Sequence, residues 1–444
     1  MSPHEARVAM LQQAIARADL AGATVGLRKP TSNLFRDRRK IDRHRLDVGA
    51  FNHVIAVRDD WVDTEGMVTY EALADATLPH GVMPAVVPQL KSTTIGGAVA
   101  GVGIEATSFR HGLVHASVLE LDVLLPGGRV VYCTAENEHQ DLLRGFPNSY
   151  GTLGYALRVR ARTIPVKPYV KIVRERFTEP QAFFAAIERA CASAADFVDG
   201  VVFSATEMFV NTACFTASAP ATSDYTYENI FYRSIREKPL DYMTVRDYLW
   251  RWDTDWFWCS KNVFAEVPWL RKLYGRKRLN SRTYTKIMRW NAQLGLTQAI
   301  ARLRGLHSES IIQDIDVPIA AAVAYLDFHL QEIDIRPIWI CPIGVPPNSP
   351  DFDLYPMDHN QLYVNFGFWD VKRTKAPFPS GHFNRLIEHR VTALGGIKSL
   401  YSDSYFTSDE FAAAYGGRSY QQLKSKYDPD RRFGNLYDKC VLRH

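Results

Sequence analysis

The six cysteines of this 444-residue sequence are scattered between Cys133 and Cys440, and no two of them form a CxxC pair. This absence argues against a structural zinc site and against a disulfide framework. Unpaired cysteines are typical of a reducing compartment, so we expect a cytoplasmic protein. His111 and His115 stand four residues apart, but no third ligand lies nearby, and we expect no metal site.

The sequence also has no long apolar run and no large excess of charge. No window reaches the roughly 18 apolar residues of a membrane-spanning helix, and Glu5, Arg7, Arg17 and Asp19 interrupt any signal-peptide core. A formal net charge of +5 is small for this length and excludes a dedicated nucleic-acid binder. A mildly basic protein suits loose contact with an anionic membrane, so we expect a peripheral position at the inner membrane face if the substrate is a lipid.

The two parts of the chain differ in pattern. Up to about residue 163, short strands and turns dominate, and apolar residues alternate with Glu120 and Asp122 between Leu119 and Leu125. A Pro-Gly-Gly turn at 126–128 then predicts a β-hairpin with 129–132. Because a chain of this length favours two domains, we place the first one at residues 1–165.

Beyond Pro165 the apolar spacing becomes helical. Thr178 and Pro180 predict a helix start, and Phe183, Phe184 and Ile187 follow at helical spacing. Further helices are predicted over 317–333 and 383–394, and short strands over 200–203, 337–341 and 362–368. The pattern predicts an α+β fold, with a second domain over 166–400.

The most informative segment is a loop with four glycines in eight residues, Gly96, Gly97, Gly101 and Gly103. Glycine lets the backbone approach a ligand closely, and its exposed amides can cradle phosphate oxygens. The spacing lacks the G-x-G-x-x-G pattern, which argues against a Rossmann nucleotide loop. A turn that serves packing alone is the structural alternative.

The surroundings of this loop resemble the vanillyl-alcohol-oxidase and p-cresol-methylhydroxylase superfamily of flavoproteins. The resemblance rests on Thr94-Ile95-Gly96-Gly97 with Gly101, Gly103, Gly112 and the hairpin, and on 141–145 followed by Gly151-Thr152-Leu153-Gly154. It implies a PCMH-type FAD-binding domain over residues 1–165. The flavin contacts that it implies are Thr94, Gly96, Gly97, Gly101, Gly103, Ser108, Gly112, Gly151 and Gly154.

One departure from the superfamily concerns the attachment of the flavin. Many members carry an earlier R-x-G-G-H-like segment whose histidine binds the flavin covalently. The corresponding segment here, Lys29 to Leu34, contains no histidine. The resemblance therefore implies non-covalent FAD.

Later blocks are similar to the Δ24-sterol reductase branch of these flavoproteins. They are Gly103-Ile104-Glu105, 313–318, 337–342, 400–405 and 437–439. Segments 31–35 and 248–258 are closer to bacterial relatives that reduce a 10-methylene fatty acyl chain to 10-methyl, the last step to tuberculostearic acid. This resemblance implies an FAD-dependent oxidoreductase acting on CH–CH groups, driven by NADPH, with phospholipid acyl chains as substrate. It also implies a cap domain over 166–400 and a C-terminal segment, 401–444, that returns to the FAD site.

Three alternatives stay open for the function. The first is a Δ24-sterol-type reductase, and the second is an FAD oxidase of alcohols or polyols with the same fold. The third is a non-catalytic flavin-binding scaffold for a SAM-dependent methyltransferase, which is also an expected partner. The glycine loop does not separate these functions, because all of them keep the cofactor.

The implied reaction makes specific chemical demands on the protein. An isolated alkene has no carbonyl group to accept electrons, so a proton must be supplied to one carbon while a hydride reaches the other. We predict Tyr405, Glu105 and Asp403 as proton-donor candidates, with Cys341 as a weaker one. The structural alternatives are a loop-ordering role for Glu105, core packing for Tyr405 and Cys341, and a helix cap or ion pair for Asp403.

The predicted substrate site contains Arg251, Trp258 and Trp339. The segment 250–258 holds four tryptophans and forms either core packing between domains or an acyl-binding wall. Arg251 is then expected to meet a phosphate or carboxylate head group. The basic run 271–278 is expected to touch anionic lipid heads, with a plain solvated face as its alternative.

Overall fold

A computed structural model describes residues 2–17, 23–29, 35–36, 43–294 and 305–443. Its strands are β1 Val25–Arg28, β2 His44–Asp47, β3 Val54–Val57, β4 Trp61–Glu65, β5 Val82–Pro84, β6 Val118–Leu124, β7 Val130–Cys133, β8 Tyr155–Pro165, β9 Tyr169–Phe177, β10 Phe197–Ser204, β11 Glu207–Thr216, β12 Leu240–Thr244, β13 His307–Pro318, β14 Ile338–Ile343, β15 Tyr363–Thr374 and β16 Ile397–Lys398.

The first helix precedes these strands, and the others lie between them or after the last of them. They are α1 Pro3–Arg17, α2 Tyr70–Thr77, α3 Ile95–Gly101, α4 Ser108–His111, α5 Gln140–Gly145, α6 Pro180–Cys191, α7 Phe231–Glu237, α8 Val245–Leu249, α9 Pro268–Tyr274, α10 Ser281–Leu294, α11 Ala322–Phe328, α12 His382–Ala393, α13 Ser408–Ala414, α14 Gly417–Tyr427 and α15 Leu436–Cys440. Within the described ranges, none of them is both long and apolar enough to cross a bilayer.

The first large sheet belongs to the N-terminal part of the chain. Its order is β3-β4-β8-β6-β7, and β5 pairs with β8 off this path. The predicted hairpin is confirmed, since β6 and β7 pair antiparallel with Leu124 opposite Val130. Along β8, Val159 is buried, whereas Arg158 bonds the carboxylate of Asp63 with a 2.7 Å Nε–Oδ1 distance. This alternation gives the sheet one apolar and one charged face.

The second large sheet contains eight strands in the order β12-β9-β11-β10-β14-β15-β13-β16. Helices α6, α11 and α12 cover one of its faces and share an apolar core with it, which contains Ile311, Ile315 and Phe366. The helices predicted to begin near residues 180 and 383 are confirmed as α6 and α12. The mixture of helices and sheets confirms the α+β fold class.

The helix predicted over 317–333 is wrong at its start. The strand β13 continues to Pro318, and Val317 pairs with Val364 of β15. A short 3-10 turn at Ile319–Ala321 then leads into α11, and a π-helical turn at His329–Ile333 follows. The residues before Pro318 are part of a strand because β15 pairs with them along their whole length. Apolar periodicity alone does not reveal such a partner.

The two sheets divide near the predicted domain boundary. Strand β8 of the first sheet ends at Pro165, and β9 of the second begins at Tyr169. The C-terminal helices pack back on the first part, where Lys424 Nζ donates to the carbonyl of Thr152 at 2.6 Å. The segment after residue 400 therefore lies beside the second glycine motif, 151–154.

Candidate active site

A cavity of about 770 Å³ lies between the two sheets. One side of its wall comes from the segments 88–104 and 150–156 of the first part. The other side comes from 256–259, from the strands β13, β14 and β15, and from Tyr401. This volume falls within the roughly 300–1,000 Å³ that is usual for small-molecule and cofactor sites.

The glycine loop forms one end of this cavity. Thr94 caps α3, and its Oγ1 accepts from the backbone N–H of Gly97 at 3.3 Å. A side chain at Gly96 would place its Cβ 2.8 Å from the carbonyl oxygen of Gly66, so the loop backbone packs directly on neighbouring backbone. The predicted flavin contacts on the wall are Thr94, Gly96, Gly97, Gly101, Gly103, Gly151 and Gly154. The fold thus brings together two glycine motifs that lie about fifty residues apart in the sequence.

Two predicted flavin contacts, Ser108 and Gly112, lie outside the cavity lining. Ser108 Oγ accepts from the backbone N–H of Glu105 at 3.1 Å and fixes the turn that follows the loop. Gly112 has a φ of +71°, and a Cβ there would lie 2.7 Å from that of Ala116. Both residues shape the backbone behind the cavity, and their assignment as flavin contacts stays a prediction that the lining does not support.

Four basic side chains that sequence reasoning missed also line the cavity: Lys29, Arg43, Arg45 and Lys439. Lys29 Nζ lies 3.9 Å from the position that a Cβ on Gly97 would occupy, which places this cation beside the glycine loop. Cations beside a glycine loop, which lets a ligand approach the backbone closely, suit a pyrophosphate group. The residues present therefore fit FAD, with the phosphates at this end. Lys29, Arg43 and Arg45 belong to one basic stretch near the start of the sequence, whereas Lys439 comes from its far end, and the fold brings the four together.

The segment that bears on covalent flavin attachment lies only partly within the described residues. Of Lys29 to Leu34, positions 30–34 fall outside them. Among the described residues that line the cavity there is no histidine. Non-covalent attachment stays a prediction.

The described aromatic side chains that line the cavity are Phe35, Phe146, Tyr150, Tyr155, Trp256, Phe257, Trp339, Trp369 and Tyr401. Tyr150 and Tyr155 lie against the glycine motifs, and we name the group Trp256, Phe257, Trp339, Trp369 and Tyr401 the aromatic end. The ring of Phe257 lies 4.5 Å from that of Trp369 and 5.4 Å from that of Trp339, between centroids. Of the predicted substrate residues, Trp339 is thus on the wall. Such an end offers an apolar slot with several π faces.

Trp258, by contrast, does not line the cavity. It is fully buried, and its ring packs edge-on against Trp252 at 6.1 Å. The segment 250–258 forms successive turns, with Trp256 and Phe257 at positive φ, so its aromatic rings divide between the core and the wall. Trp252 and Trp258 thus serve core packing, whereas Trp256 and Phe257 lie on the wall, and acyl binding by that wall stays a prediction.

Arg251 and Glu105 occupy a buried cluster behind the wall. Arg251 Nη2 lies 3.0 Å from Glu105 Oε1 and 2.8 Å from Asp199 Oδ2, and all three side chains are at most 2% exposed. Gln89 also donates to the Glu105 carboxylate. Burial raises the pKa of Glu105, and the guanidinium opposes this shift.

This cluster corrects two predictions. The guanidinium of Arg251 has no access to a head group, because it is buried and shared between two carboxylates. Glu105 is not part of the lining, and its bonds hold the end of the glycine loop against 250–252, as its structural alternative describes. Cys341 is buried as well, and its thiol donates to the carbonyl of Glu105 at 3.2 Å.

Tyr405 and Asp403 also lie away from the cavity lining. The Tyr405 hydroxyl accepts from Arg443 Nη2 at 2.9 Å, and Asp403 Oδ1 lies 3.7 Å from the same nitrogen. Burial raises the pKa of Tyr405, with Asp403 adding to the shift. Arg443 holds both groups outside the cavity lining, so their assignment as proton donors stays a prediction that this placement does not support.

A different acid stands on the wall, and sequence reasoning missed it. Asp314 lines the aromatic end beside Tyr401. Burial raises the pKa of Asp314 to about 7, and a hydrogen bond with the Tyr401 hydroxyl opposes the shift. The alternation of Ser310, Ile312 and Asp314 along β13 is the signal that places Asp314 on the cavity face.

Comparisons with known proteins agree with the cofactor that the cavity suits. Residues 6–134 match the model of a family described as FAD binding domain. The chain is 27% identical to the Delta(24)-sterol reductase of Homo sapiens over 398 residues, which is 86% of this chain and 75% of that protein. It is 24% identical to the Delta(24)-sterol reductase of Arabidopsis thaliana over 444 residues, which is 91% of this chain and 77% of that protein.

A shorter match covers 32% of this chain and 28% of Cytokinin dehydrogenase 7 of Oryza sativa subsp. japonica, at 31% identity. Together, the domain match and the relatives establish an FAD-binding, PCMH-type α+β flavoprotein. Two of these relatives are named as sterol reductases, which supports an FAD-dependent oxidoreductase.

Proposed function

We propose that this oxidoreductase uses NADPH to reduce an isolated double bond in a lipid, and that the substrate is a 10-methylene acyl chain of a phospholipid. The observation that carries the proposal is the division of one cavity into a basic, glycine-lined end and an aromatic end. The first end would hold the FAD pyrophosphate through the Lys29 cation, the Thr94 hydroxyl and the close approach that the glycines allow. The amides of Gly96 and Gly97 already donate, to the Gly66 carbonyl at 2.9 Å and to Thr94 Oγ1 at 3.3 Å. When bound, FAD supplies the hydride.

The aromatic end supplies what an isolated alkene requires from the protein. Protonation of a 1,1-disubstituted alkene leaves positive charge on its tertiary carbon. The π faces of Phe257, Trp339 and Trp369 stabilise such charge and also exclude water from it. The wall also carries the polar residues Asn262, Ser310, Asp314, Asp370 and Tyr401, so the choice between an alkene and an alcohol substrate rests on the experiment described below.

The outer surface near the cavity supports an anionic lipid. Phe264, Trp269, Leu273 and Trp290 are 60–72% exposed, which is unusual for large apolar side chains. Their elements also reach inward, since Met288 of α10 lines the cavity. We name the residues 264–290 the docking surface. Exposed aromatic and leucine side chains beside basic ones are typical of an interfacial membrane contact.

The charge of the docking surface bears on which lipid is bound. Lys272, Lys277, Arg278 and Lys286 are all exposed on it. An anionic phospholipid complements these cations, whereas a neutral sterol does not. The charge therefore supports the phospholipid acyl chain, and it supports a peripheral position of the protein on a membrane.

A Δ24-sterol-type reduction is the second candidate, and the relatives favour it. Those named Delta(24)-sterol reductase are 23–28% identical to this chain over most of its length. A trisubstituted sterol side-chain alkene also gives a tertiary cation on protonation, so the aromatic end suits both substrates. The two candidates differ in head-group charge and in the shape of the lipid.

One anaerobic experiment separates these functions. FAD-loaded protein is bleached with NADPH and mixed with vesicles of a 10-methylene phospholipid, a Δ24-sterol or the saturated phospholipid. We expect reoxidation of the flavin with the first and formation of the 10-methyl product. Reoxidation by the sterol alone establishes the second candidate, and rapid peroxide formation with a polyol and oxygen establishes the oxidase. Stable FAD that NADPH does not bleach points to the scaffold for a methyltransferase.

A further inference from the structure

The Asp314 side chain occupies space that is available because the residue opposite it in the second sheet is a glycine. Its position on β13 is opposite Gly367 of β15. A Cβ on Gly367 would lie 2.7 Å from Asp314 Oδ1 and 2.9 Å from the Trp369 ring. Only the absence of a side chain at 367 lets the carboxyl group and the indole share this part of the wall.

The Tyr401 hydroxyl accepts one hydrogen bond and has its own proton to donate to another group. Trp369 Nε1 donates to the Tyr401 hydroxyl oxygen at 2.9 Å. An indole N–H is a donor only, so the tyrosine accepts there and keeps its own proton for another partner. That partner is the Asp314 carboxyl. The Tyr401 hydroxyl therefore lies between the Trp369 indole and the Asp314 carboxyl, all three on the cavity lining.

The other acids near the cavity have their oxygens engaged elsewhere. Glu105 is bonded to Arg251 and Gln89, and Asp370 lies 3.2 Å from Lys261 Nζ. The two oxygens of Asp316 accept from Tyr355 at 2.6 Å and from Asn365 at 2.7 Å. Asp314 Oδ1 is different, because it is buried and has no hydrogen-bond partner among the described residues.

We propose that Asp314 is the catalytic acid that protonates the alkene, and that Tyr401 is its positioning residue. The inference rests on the function proposed above. The O–H bond of Asp314 breaks as a C–H bond forms at the terminal methylene carbon. The tertiary carbon receives a hydride whose two electrons come from NADPH by way of FAD. NADPH becomes NADP⁺, and solvent returns the proton to the Asp314 carboxylate.

The raised pKa of Asp314 agrees with this role, since a carboxyl that titrates at about 7 holds a proton at neutral pH. A catalytic acid works best when its pKa lies near the operating pH. Neither Tyr405 nor Asp403 meets the geometric requirement, because both lie outside the cavity lining.

The test compares Asp314→Asn with wild type in the FAD-loaded protein. We expect NADPH to bleach the flavin at an unchanged rate, while reoxidation by the methylene lipid falls by roughly 10²- to 10⁴-fold. In D₂O the wild type places one deuterium on the new methyl group. Asp351→Asn is the matched control, since Asp351 is exposed and pairs with His359 away from the cavity, and it reoxidises like wild type.

A second readout does not depend on turnover. We measure the infrared difference spectrum of FAD-loaded, lipid-free protein between pH 5 and pH 9, which is roughly two units either side of the Asp314 pKa. We expect it to contain a protonated-carboxyl band that Asp314→Asn removes. Tyr401→Phe shifts the pH at which this band disappears, which a merely structural tyrosine does not do.

Three results overturn the inference: reoxidation of Asp314→Asn within twofold of wild type, no carboxyl band assignable to Asp314, or a Tyr401→Phe midpoint equal to that of wild type. If the wild type itself is not reoxidised by any alkene, the proposed function fails. The infrared measurement then still decides whether Asp314 holds a proton. If Asp314→Asn does not bind FAD, Tyr401→Phe carries the kinetic comparison.

Discussion

Arg251 Nη2 lies 3.0 Å from Glu105 Oε1, and neither side chain is more than 2% exposed. The pair joins the end of the glycine loop to the tryptophan-rich segment of the second part. The contact joins residues that are 146 positions apart in the sequence, and so it connects the two walls of the cavity. Glu105 was predicted as a proton donor and Arg251 as a contact of the substrate head group. In the structure the two side chains instead form a buried ion pair that connects the two parts of the chain.

The first prediction concerns the stability of this pair. Arg251→Met leaves the carboxylates of Glu105 and Asp199 buried without their cation, and we expect the free energy of unfolding to fall by about 3–5 kcal/mol. Denaturant unfolding followed by tryptophan fluorescence measures the loss. Arg246→Met breaks an exposed ion pair with Asp75, and as the control it costs about 1 kcal/mol or less. Equal losses in the two variants contradict the cluster's structural role.

The second prediction concerns the glycine loop and FAD. Gly96→Ala places a Cβ against the backbone of Gly66, so the loop must shift away from the position that suits a pyrophosphate. We expect the dissociation constant of FAD to rise at least tenfold, measured by quenching of flavin fluorescence. The matched control is Gly127→Ala, where a Cβ meets nothing within 4 Å. Unchanged FAD affinity in Gly96→Ala contradicts the assignment.

The third prediction concerns the pH dependence of alkene reduction. The reacting form of Asp314 is protonated, so the rate of lipid-dependent flavin reoxidation falls as the pH rises through about 7. Burial raises the pKa of Asp314 most, the Tyr401 hydroxyl lowers it, and the Asp316 carboxylate raises it further. Single-turnover rates between pH 5 and pH 9, a range of roughly two units either side of that pKa, measure the profile. A flat profile, or one that rises with pH, contradicts the role of Asp314.

The fourth prediction concerns stability at the same group. The pKa of Asp314 is raised in the folded state, so folding takes up a proton, and the Asp314 contribution to stability falls as the pH rises from about 4 to about 7. Asp314→Asn removes this dependence. We therefore expect the variant to gain stability relative to wild type on going from pH 5 to pH 8, in thermal unfolding of the FAD-loaded proteins. A constant difference between the two proteins contradicts the raised pKa.

The fifth prediction concerns the docking surface. Reversing two charges in Lys272→Glu with Lys277→Glu removes attraction worth about 1 kcal/mol for each basic residue and adds repulsion. We expect cosedimentation with anionic vesicles to weaken by at least tenfold, and binding of the wild type to weaken with salt. Tyr132→Ala removes an exposed aromatic residue of the first sheet and leaves binding unchanged. Equal binding of all three proteins contradicts the membrane contact.

The cofactor site was the part most open to prediction from the sequence. The glycines of the first loop lie within eight residues, and their chemistry depends on backbone freedom that any reader of the sequence can infer. The hairpin at 118–133 and helices α6 and α12 followed from local periodicity and turn residues for the same reason. Contiguous signals of this kind need no knowledge of distant partners.

The assignment of acids could not be made in this way. Glu105, Asp403 and Tyr405 have the right chemistry, but Arg251 and Arg443 come from distant parts of the chain and hold them outside the cavity. Asp314 and Tyr401 stood within the sequence blocks that carried the family resemblance, and nothing local distinguished them from their neighbours.

The sequence by itself determined the flavin loop, the α+β class and the chemistry that a reduced alkene demands. Tertiary structure alone decided which carboxyl group lies on the cavity wall, since the pairing of β13 with β15 sets Asp314 opposite Gly367. The physical reason is burial: a carboxyl group titrates and reacts according to its neighbours in space, and packing between distant segments chooses those neighbours.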